Sequence, residues 1–157
     1  MKILVMSDSH GKVGLLEDII NDNMNADIIA FLGDGERDFF RALRDCRVPD
    51  DKEIWQVQGN CDPLSREEVT LIKEAGGIRF YVTHGFEQAV KWGLEKLSYK
   101  AEEQGCQIAL FGHTHSRHLS NNGGVFLFNP GSAASGSYGV INIVNGQLDI
   151  TYGQIDF

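Results

Sequence analysis

Five short motifs place potential metal-binding side chains along the chain: Asp8-Ser9-His10, Gly33-Asp34, Gly59-Asn60, His84-Gly85 and Gly112-His113-Thr114-His115. Each has an ordinary reading in isolation. Asp-Ser-His also makes turns and helix N-caps, Gly-Asp ends many strands, and a single histidine is usually structural. Gly-His-Thr-His is more telling, because two imidazoles so close in one loop are costly unless used. Together the motifs offer Asp8, Asp34, Asn60, His10, His84, His113 and His115. Carboxylate, amide oxygen and imidazole suit first-row dications such as Mn²⁺, Fe²⁺, Ni²⁺ or Zn²⁺, whereas calcium favours oxygen alone. Seven ligands exceed the needs of one tetrahedral ion, and a carboxylate bridging two ions would use them as two-metal hydrolases do.

For these motifs to meet, the elements between them must bring their ends to one edge. Residues 2–7 form an apolar run ending at Asp8, and Val13, Leu16, Ile19 and Ile20 follow at helical spacing within 13–24. The same unit repeats from 27–32 into a helix whose expected buried face is Phe39, Phe40 and Leu43. A third strand spans 53–57. Two more, joined by an Ala-Gly-Gly turn, end at His84. The pattern predicts a helix over 87–103 and an apolar strand over 106–111. From His118 onward, Asn-Gly pairs and alternation predict hairpins and a mostly antiparallel end. Ligands of α/β sheets bind at the carboxyl ends of strands, which is where all five motifs fall. The expected architecture is a single α/β domain over 1–157, with two sheets face to face and helices outside.

Composition narrows the function classes. A formal net charge of −8 disfavours gripping a nucleic-acid backbone by counterion release. A nucleotide or another small diester is still compatible with it. No apolar run approaches the roughly 20 residues of a membrane helix. The start, MKILVMSDSH, reads as a first strand rather than a leader peptide, so the expected location is the cytoplasm. Cys46, Cys61 and Cys106 are widely spaced, which suggests reduced thiols rather than a disulfide framework. Nothing excludes a homo-oligomer.

The ordered set D-x-H, G-D, G-N, H-G, G-H-x-H from Asp8 to His115 resembles the calcineurin-like metallophosphoesterases, and the short length and Gly-Asn-Cys-Asp segment are most similar to the YfcE-type phosphodiesterases. The resemblance implies a four-layer α/β/β/α sandwich of two mixed sheets. It implies one ion held by Asp8, His10 and His115, a second by Asn60, His84 and His113, and Asp34 between them. It also implies hydrolysis of a small phosphodiester by in-line attack of a shared hydroxide, with Mn²⁺ the expected ion and Ni²⁺, Fe²⁺ or Zn²⁺ as alternatives. Asn60 and His113 then stand at the reacting phosphorus, where the Asn60 amide would stabilise developing charge. Asp38 is a candidate to orient a ligand imidazole, or else a solvated helix N-terminal acid. Arg37 is a candidate phosphate contact, or else a surface cation.

Cys61 departs from the wider superfamily, many of whose members carry histidine immediately after Gly-Asn. A neutral thiol is a poor acid for an alkoxide at pH 7, so the exchange removes a function more readily than it adds one. A phosphocysteine mechanism would want an arginine in a C-x₅-R pattern, and Glu67 stands there instead. The expected preference is for diesters with acidic leaving groups.

Two other readings compete. His113 to His118 approximates the H-x-H-x-D-H motif of metallo-β-lactamase-like enzymes, but Arg117 occupies the aspartate position, leaving His118 as a strand or surface residue. The retromer scaffold subunit resembles the same phosphoesterases and uses the fold to bind proteins, with a degraded catalytic set. All seven expected ligands are present here. Asn129-Pro130-Gly131-Ser132 reads as a turn that returns to the active edge, and Phe86, Trp92 and Tyr138 are expected to pack in the core, or else to line a substrate pocket.

Overall fold

The computed structural model describes residues 1–157. Its first sheet has the order β10-β9-β1-β2-β3. Parallel strands β1 (Lys2–Met6), β2 (Ile28–Phe31) and β3 (Glu53–Gln56) lie beside the antiparallel pair β9 (Ser137–Val144) and β10 (Gln147–Gln154). The second sheet has the order β4-β5-β6-β8-β7, from β4 (Thr70–Ala75), β5 (Ile78–Thr83), β6 (Ile108–Leu110), β7 (Arg117–Asn122) and β8 (Val125–Pro130). Here β5, β6 and β8 run parallel, with β4 and β7 antiparallel at the edges.

The period-two pattern of each strand explains the layering. In β1, Ile3 and Val5 face the second sheet and pack with Trp55, Phe80, Ile108 and Phe128 between the sheets. Leu4 and Met6 face outward onto α1 (Val13–Asp22) and α2 (Glu36–Asp45), where Leu16, Ile19, Ile20 and Phe39 meet them. The second sheet does likewise with Tyr81, Ala109 and Leu127 against Leu97 and Ala101 of α3 (Glu95–Glu103). Three apolar seams thus hold four layers together, and each fully buried leucine or isoleucine contributes about 1.5–3 kcal/mol. This is the expected α/β/β/α sandwich.

Several expectations need correction. The helix predicted over 87–103 begins only at Glu95. Before it, Gln88 turns inward, accepting from the Thr83 hydroxyl and donating to the Tyr81 hydroxyl, both at 3.2 Å. Ala89 and Gly93 adopt φ of 54° and 151°, which no helix accommodates. Phe40 lies on the solvent side of α2, 48% exposed, and Ala42 takes its place beside Phe39 in the core. Phe86 and Trp92 are exposed rather than packed inside, while Tyr138 is half-buried against the α1 and α2 seam. The C-terminal part is mostly antiparallel as expected, in the β7–β8 and β9–β10 hairpins and where β9 pairs with β1, and only β8 joins its neighbour β6 in parallel.

Candidate functional site

All five motifs lie where parallel strands of the two sheets end. Asp8 follows β1, Asp34 follows β2, Asn60 follows β3, His84 follows β5, and His113 and His115 follow β6. Asp8, His10, Asp34, His113 and His115 all adopt positive φ, between 42° and 71°. The left-handed region is unfavourable for side chains with a Cβ, and such outliers cluster where the surroundings force them. The turns therefore point these side chains inward at some conformational cost.

Ligand atoms of Asp8, His10 and His115 lie within 4.8 Å of one another, and those of Asp34, His84 and His113 form a second such group. The first group is largely open to solvent and the second is largely buried. Asn60 sits exposed at the edge, its amide 3.5 Å from the Cys61 sulfur.

Asp8 is fully buried, and its two oxygens have different environments. Oδ2 accepts from the Ser7 hydroxyl at 2.5 Å and the His113 amide at 3.1 Å. Oδ1 has no hydrogen-bond partner and faces Nε2 of His115, His10 and His84 at 3.3, 3.6 and 3.9 Å. The carboxylate is thus anchored by one oxygen and offers the other to the centre. Gly112 makes this possible, because a Cβ there would lie 2.7 Å from Asp8 Oδ2 and collide with the Ser7 hydroxyl.

His84 donates from Nδ1 to the Leu32 carbonyl at 2.7 Å. A neutral ring so held carries its lone pair on Nε2, which is buried, unpartnered, and 3.2 Å from Asp34 Oδ2. Lone pair and carboxylate repel unless a positive charge lies with them. Without a metal ion, a proton serves. Burial opposes charging of His84, but the Asp34 hydrogen bond and the charges of Asp8 and Asp34 raise its pKa. Asp34 is affected reciprocally, as burial is outweighed by His84 and by the Cys61 amide, holding the carboxyl at about 2. His113 goes the other way. Burial and then the charges of His84 and Lys91 lower its pKa, which favours the neutral ring, and its Nδ1 is buried and unpartnered. His10 and His115 bring their Nε2 atoms to 3.0 Å from each other. Three orphaned buried atoms and a pair of facing imidazole nitrogens are what a site for divalent cations provides.

Asp62 escapes notice in the sequence. Its Oδ2 accepts from the amides of Asp34 and Gly59, both at 2.8 Å, and its Oδ1 from those of Gly35 at 2.8 Å and Glu36 at 3.0 Å. One carboxylate thus ties the loops after β2 and β3 together. Asp38 holds the loop after β1 in the same manner, accepting from the Ser9 hydroxyl and the Gly11 amide at 2.7 Å each. It therefore supports the backbone that carries Asp8 and His10 and does not touch an imidazole. Ser132 and Asn129 do the same from the late segment, donating to the Asp8 and Gly112 carbonyls at 2.7 and 3.0 Å. The sequence signal for Asp62 and Asp38 is their nearness to Gly59-Asn60 and Gly33-Asp34, and for Asn129 and Ser132 it is the Asn-Pro-Gly-Ser turn.

Cys61 is exposed. Burial of its sulfur and then the charges of Asp34, Asp62 and Asp8 push the thiol pKa up. Arg37 is exposed at the mouth of a cavity of about 220 Å³ that also meets His10 and Asp34. A second cavity of about 80 Å³ is lined by Asn60, His84 and Phe86, and the Phe86 ring stands edge-on to His113 at 5.6 Å. His118 lies on β7 with Nε2 2.7 Å from the Ser120 hydroxyl, apart from both triads.

Comparison with known proteins agrees with this geometry. Residues 1–146 match the calcineurin-like phosphoesterase superfamily domain. The Bacillus subtilis protein named "Probable metallophosphoesterase YsnB" is 29% identical over 97% of this chain and 90% of its own. A Methanocaldococcus jannaschii protein named as a phosphodiesterase is 25% identical over 91% of this chain and 90% of its own. Among solved structures, a predicted phosphoesterase of Streptococcus pneumoniae superposes with a TM-score of 0.78 at 25% identity, covering 98% of this chain and 88% of that one. Vps29 of Entamoeba histolytica, solved with zinc, shares the fold with a TM-score of 0.75 at 21% identity, covering 98% and 99%. The match over nearly the whole chain and the two triads at the strand ends lead to one assignment: the chain belongs to the calcineurin-like phosphoesterase superfamily.

Proposed function

We propose that residues 1–157 act as one cytoplasmic phosphodiesterase domain that holds two divalent cations and hydrolyses a small phosphodiester. The observation that carries this reading is the set of buried, unpartnered atoms Asp8 Oδ1, His84 Nε2 and His113 Nδ1. In this reading Asp8, His10 and His115 hold one ion, Asn60, His84 and His113 hold the other, and Asp34 lies between them. Two bound dications would supply a water deprotonated near neutral pH and would offset charge gathering on the phosphoryl oxygens.

The chain's own groups do the positioning. The Leu32 carbonyl fixes the His84 tautomer, so that Nε2 faces inward. Ser7 and the His113 amide keep Asp8 from rotating. The exposed Asn60 amide is free to donate to a nonbridging oxygen of the substrate. Cys61, neutral because its pKa is raised, is not the nucleophile. A diester carries two arms, and the site is flanked by two cavities with no lining residue in common. This favours a diester over a monoester.

The experiment is metal analysis followed by a diesterase assay with Mn²⁺. Loss of turnover in both Asp34→Asn and His84→Ala is expected, and activity surviving both replacements would overturn the site. The alternative is a scaffold that binds metal or a protein without turnover, and the Vps29 fold likeness gives it its interest. Bound metal with no hydrolysis of any diester would favour that reading.

A further inference from the structure

The 220 Å³ cavity beside His10 and Asp34 does not end at Arg37. A second cavity of about 400 Å³ shares Glu36, Arg37 and Pro63 with it and runs on past Phe40 and Leu64 to Arg66. Together they make a trough leading from the candidate metal centre along the start of α2 and the 61–67 loop.

The charges of this trough are unequally committed. Asp62 accepts from backbone amides through both oxygens. Asp38 is bonded to Ser9 and Gly11, and Glu36 accepts from the Ser65 hydroxyl at 3.1 Å. Arg37 and Arg66 form no ion pair or side-chain hydrogen bond within the chain. Arg41, Arg44, Arg79 and Arg117 bond to neighbouring groups, and Arg47, which like Arg37 and Arg66 has no such bond, lines neither cavity. In a molecule with net charge −8, and beside the carboxylates of Asp34, Glu36, Asp38, Asp62 and Glu67 that line the same trough, Arg37 and Arg66 are its two cations without a partner in the chain, and so the groups able to pair an anion directly.

Apolar groups line the stretch between them. Leu64 is 94% exposed, with φ at 60°. With Phe40 and Pro63 it offers a surface to an uncharged segment. Glu36 and Glu67 line the outer cavity too. A single terminal anion can be paired by arginine there, while a repeating polyanion meets like charge.

We propose that this trough is a substrate subsite, receiving an ester arm with an apolar segment and a second anionic group, phosphate or carboxylate, paired by Arg37 and Arg66. The proposal rests on the phosphodiesterase reading for its geometry, since the first phosphoryl group must sit at the triads. Arginine serves here because its planar donors match both anions.

The test is calorimetric titration of the full chain in Mn²⁺ with hexanediol bisphosphate and with hexyl phosphate. The bisphosphate is expected to bind about tenfold more tightly. This ratio should fall toward one in Arg37→Ala/Arg66→Ala, with thermal melting used to verify folding, and recover in part in Arg37→Lys/Arg66→Lys. Equal binding of the two ligands by the parent chain, or an unchanged ratio in the alanine variant, overturns the subsite. A separate assay on bis(p-nitrophenyl) phosphate keeps the two claims apart. If the parent chain fails to hydrolyse it but keeps the bisphosphate advantage, the phosphodiesterase reading falls and the anion subsite stands.

Discussion

Asp62 and Asp34 hold one another's loops in place: Asp62 Oδ2 accepts the Asp34 amide at 2.8 Å, while Asp34 Oδ1 accepts the amide of Cys61, next to Asp62, at 2.8 Å. The buried half of the candidate centre depends on this exchange, because it leaves only Oδ2 of Asp34 facing His84.

Replacing Asp62 should therefore affect more than stability. Asp62→Ala leaves four amides, those of Asp34, Gly35, Glu36 and Gly59, without their acceptor. The expected cost is about 3 kcal/mol by urea unfolding. A drop in Mn²⁺ affinity of about tenfold or more should accompany it, the range seen when supports of metal ligands are lost. Asp62→Asn, with one acceptor oxygen instead of two, should fall between. Unchanged metal affinity in a variant that is destabilised would show that Asp62 supports the fold alone.

Gly59 gives a steric version of the same test. A Cβ at this position would sit 2.5 Å from the Asp34 amide nitrogen and collide with Asp34 Oδ1. Gly59→Ala is expected to displace Asp34 and lower kcat by at least about tenfold, since small misplacements of a reacting constellation are costly. Parent-like kcat would mean that Asp34 is not held by this contact.

In the metal-free chain Asp34 and His84 should act on the pH profile of stability with opposite signs. Asp34 has a folded pKa of about 2 against an ordinary 3.8, so its contribution is complete above about pH 4 and is lost as pH falls toward 2. His84 has a raised pKa, so its contribution is complete below 6.5 and is lost as pH rises through the folded value. His113, whose pKa is lowered, adds a loss as pH falls below 6.5, so thermal melts in EDTA should decline toward acid through His113 and Asp34 and toward alkali through His84. His84→Ala should remove the alkaline decline, and an alkaline limb unchanged by it would contradict the assignment.

Cys61 should be unreactive at neutral pH, with iodoacetamide labelling that accelerates only as the medium becomes alkaline, because its thiol pKa is raised. Cys61→His should raise activity on an alkyl monoester relative to an aryl diester by supplying a proton donor suited to neutral pH. An unchanged ratio of the two rates would dissociate Cys61 from substrate preference.

The layers and the seven candidate ligands were legible because both rest on local patterns. Alternating apolar strands predict buried sheets, and Asp8, Asp34, Asn60, His84 and His113 each stand just after a strand. What escaped detection depends on long-range pairing. Asp62 looks like any loop acid until four amides, three from the loop after β2 and one from its own, converge on it. Gln88 reads as one more polar residue of a helix, yet its bonds to Thr83 and Tyr81 take the chain out of helix until Glu95. Phe40 fits the period of α2 but falls outside the face that Phe39 and Ala42 bury. The uncommitted state of Arg37 and Arg66 follows from which acids are occupied elsewhere, which no spacing records.

If Asp8, His10, Asp34, Asn60, His84, His113 and His115 form one two-metal hydrolytic centre, a metal titration followed by activity will show it. Chain stripped with EDTA is expected to leave bis(p-nitrophenyl) phosphate intact. Added Mn²⁺ should restore hydrolysis along a curve that saturates only when two ions are bound per chain. Hydrolysis by the stripped chain, or full activity with a single ion bound, would contradict the account.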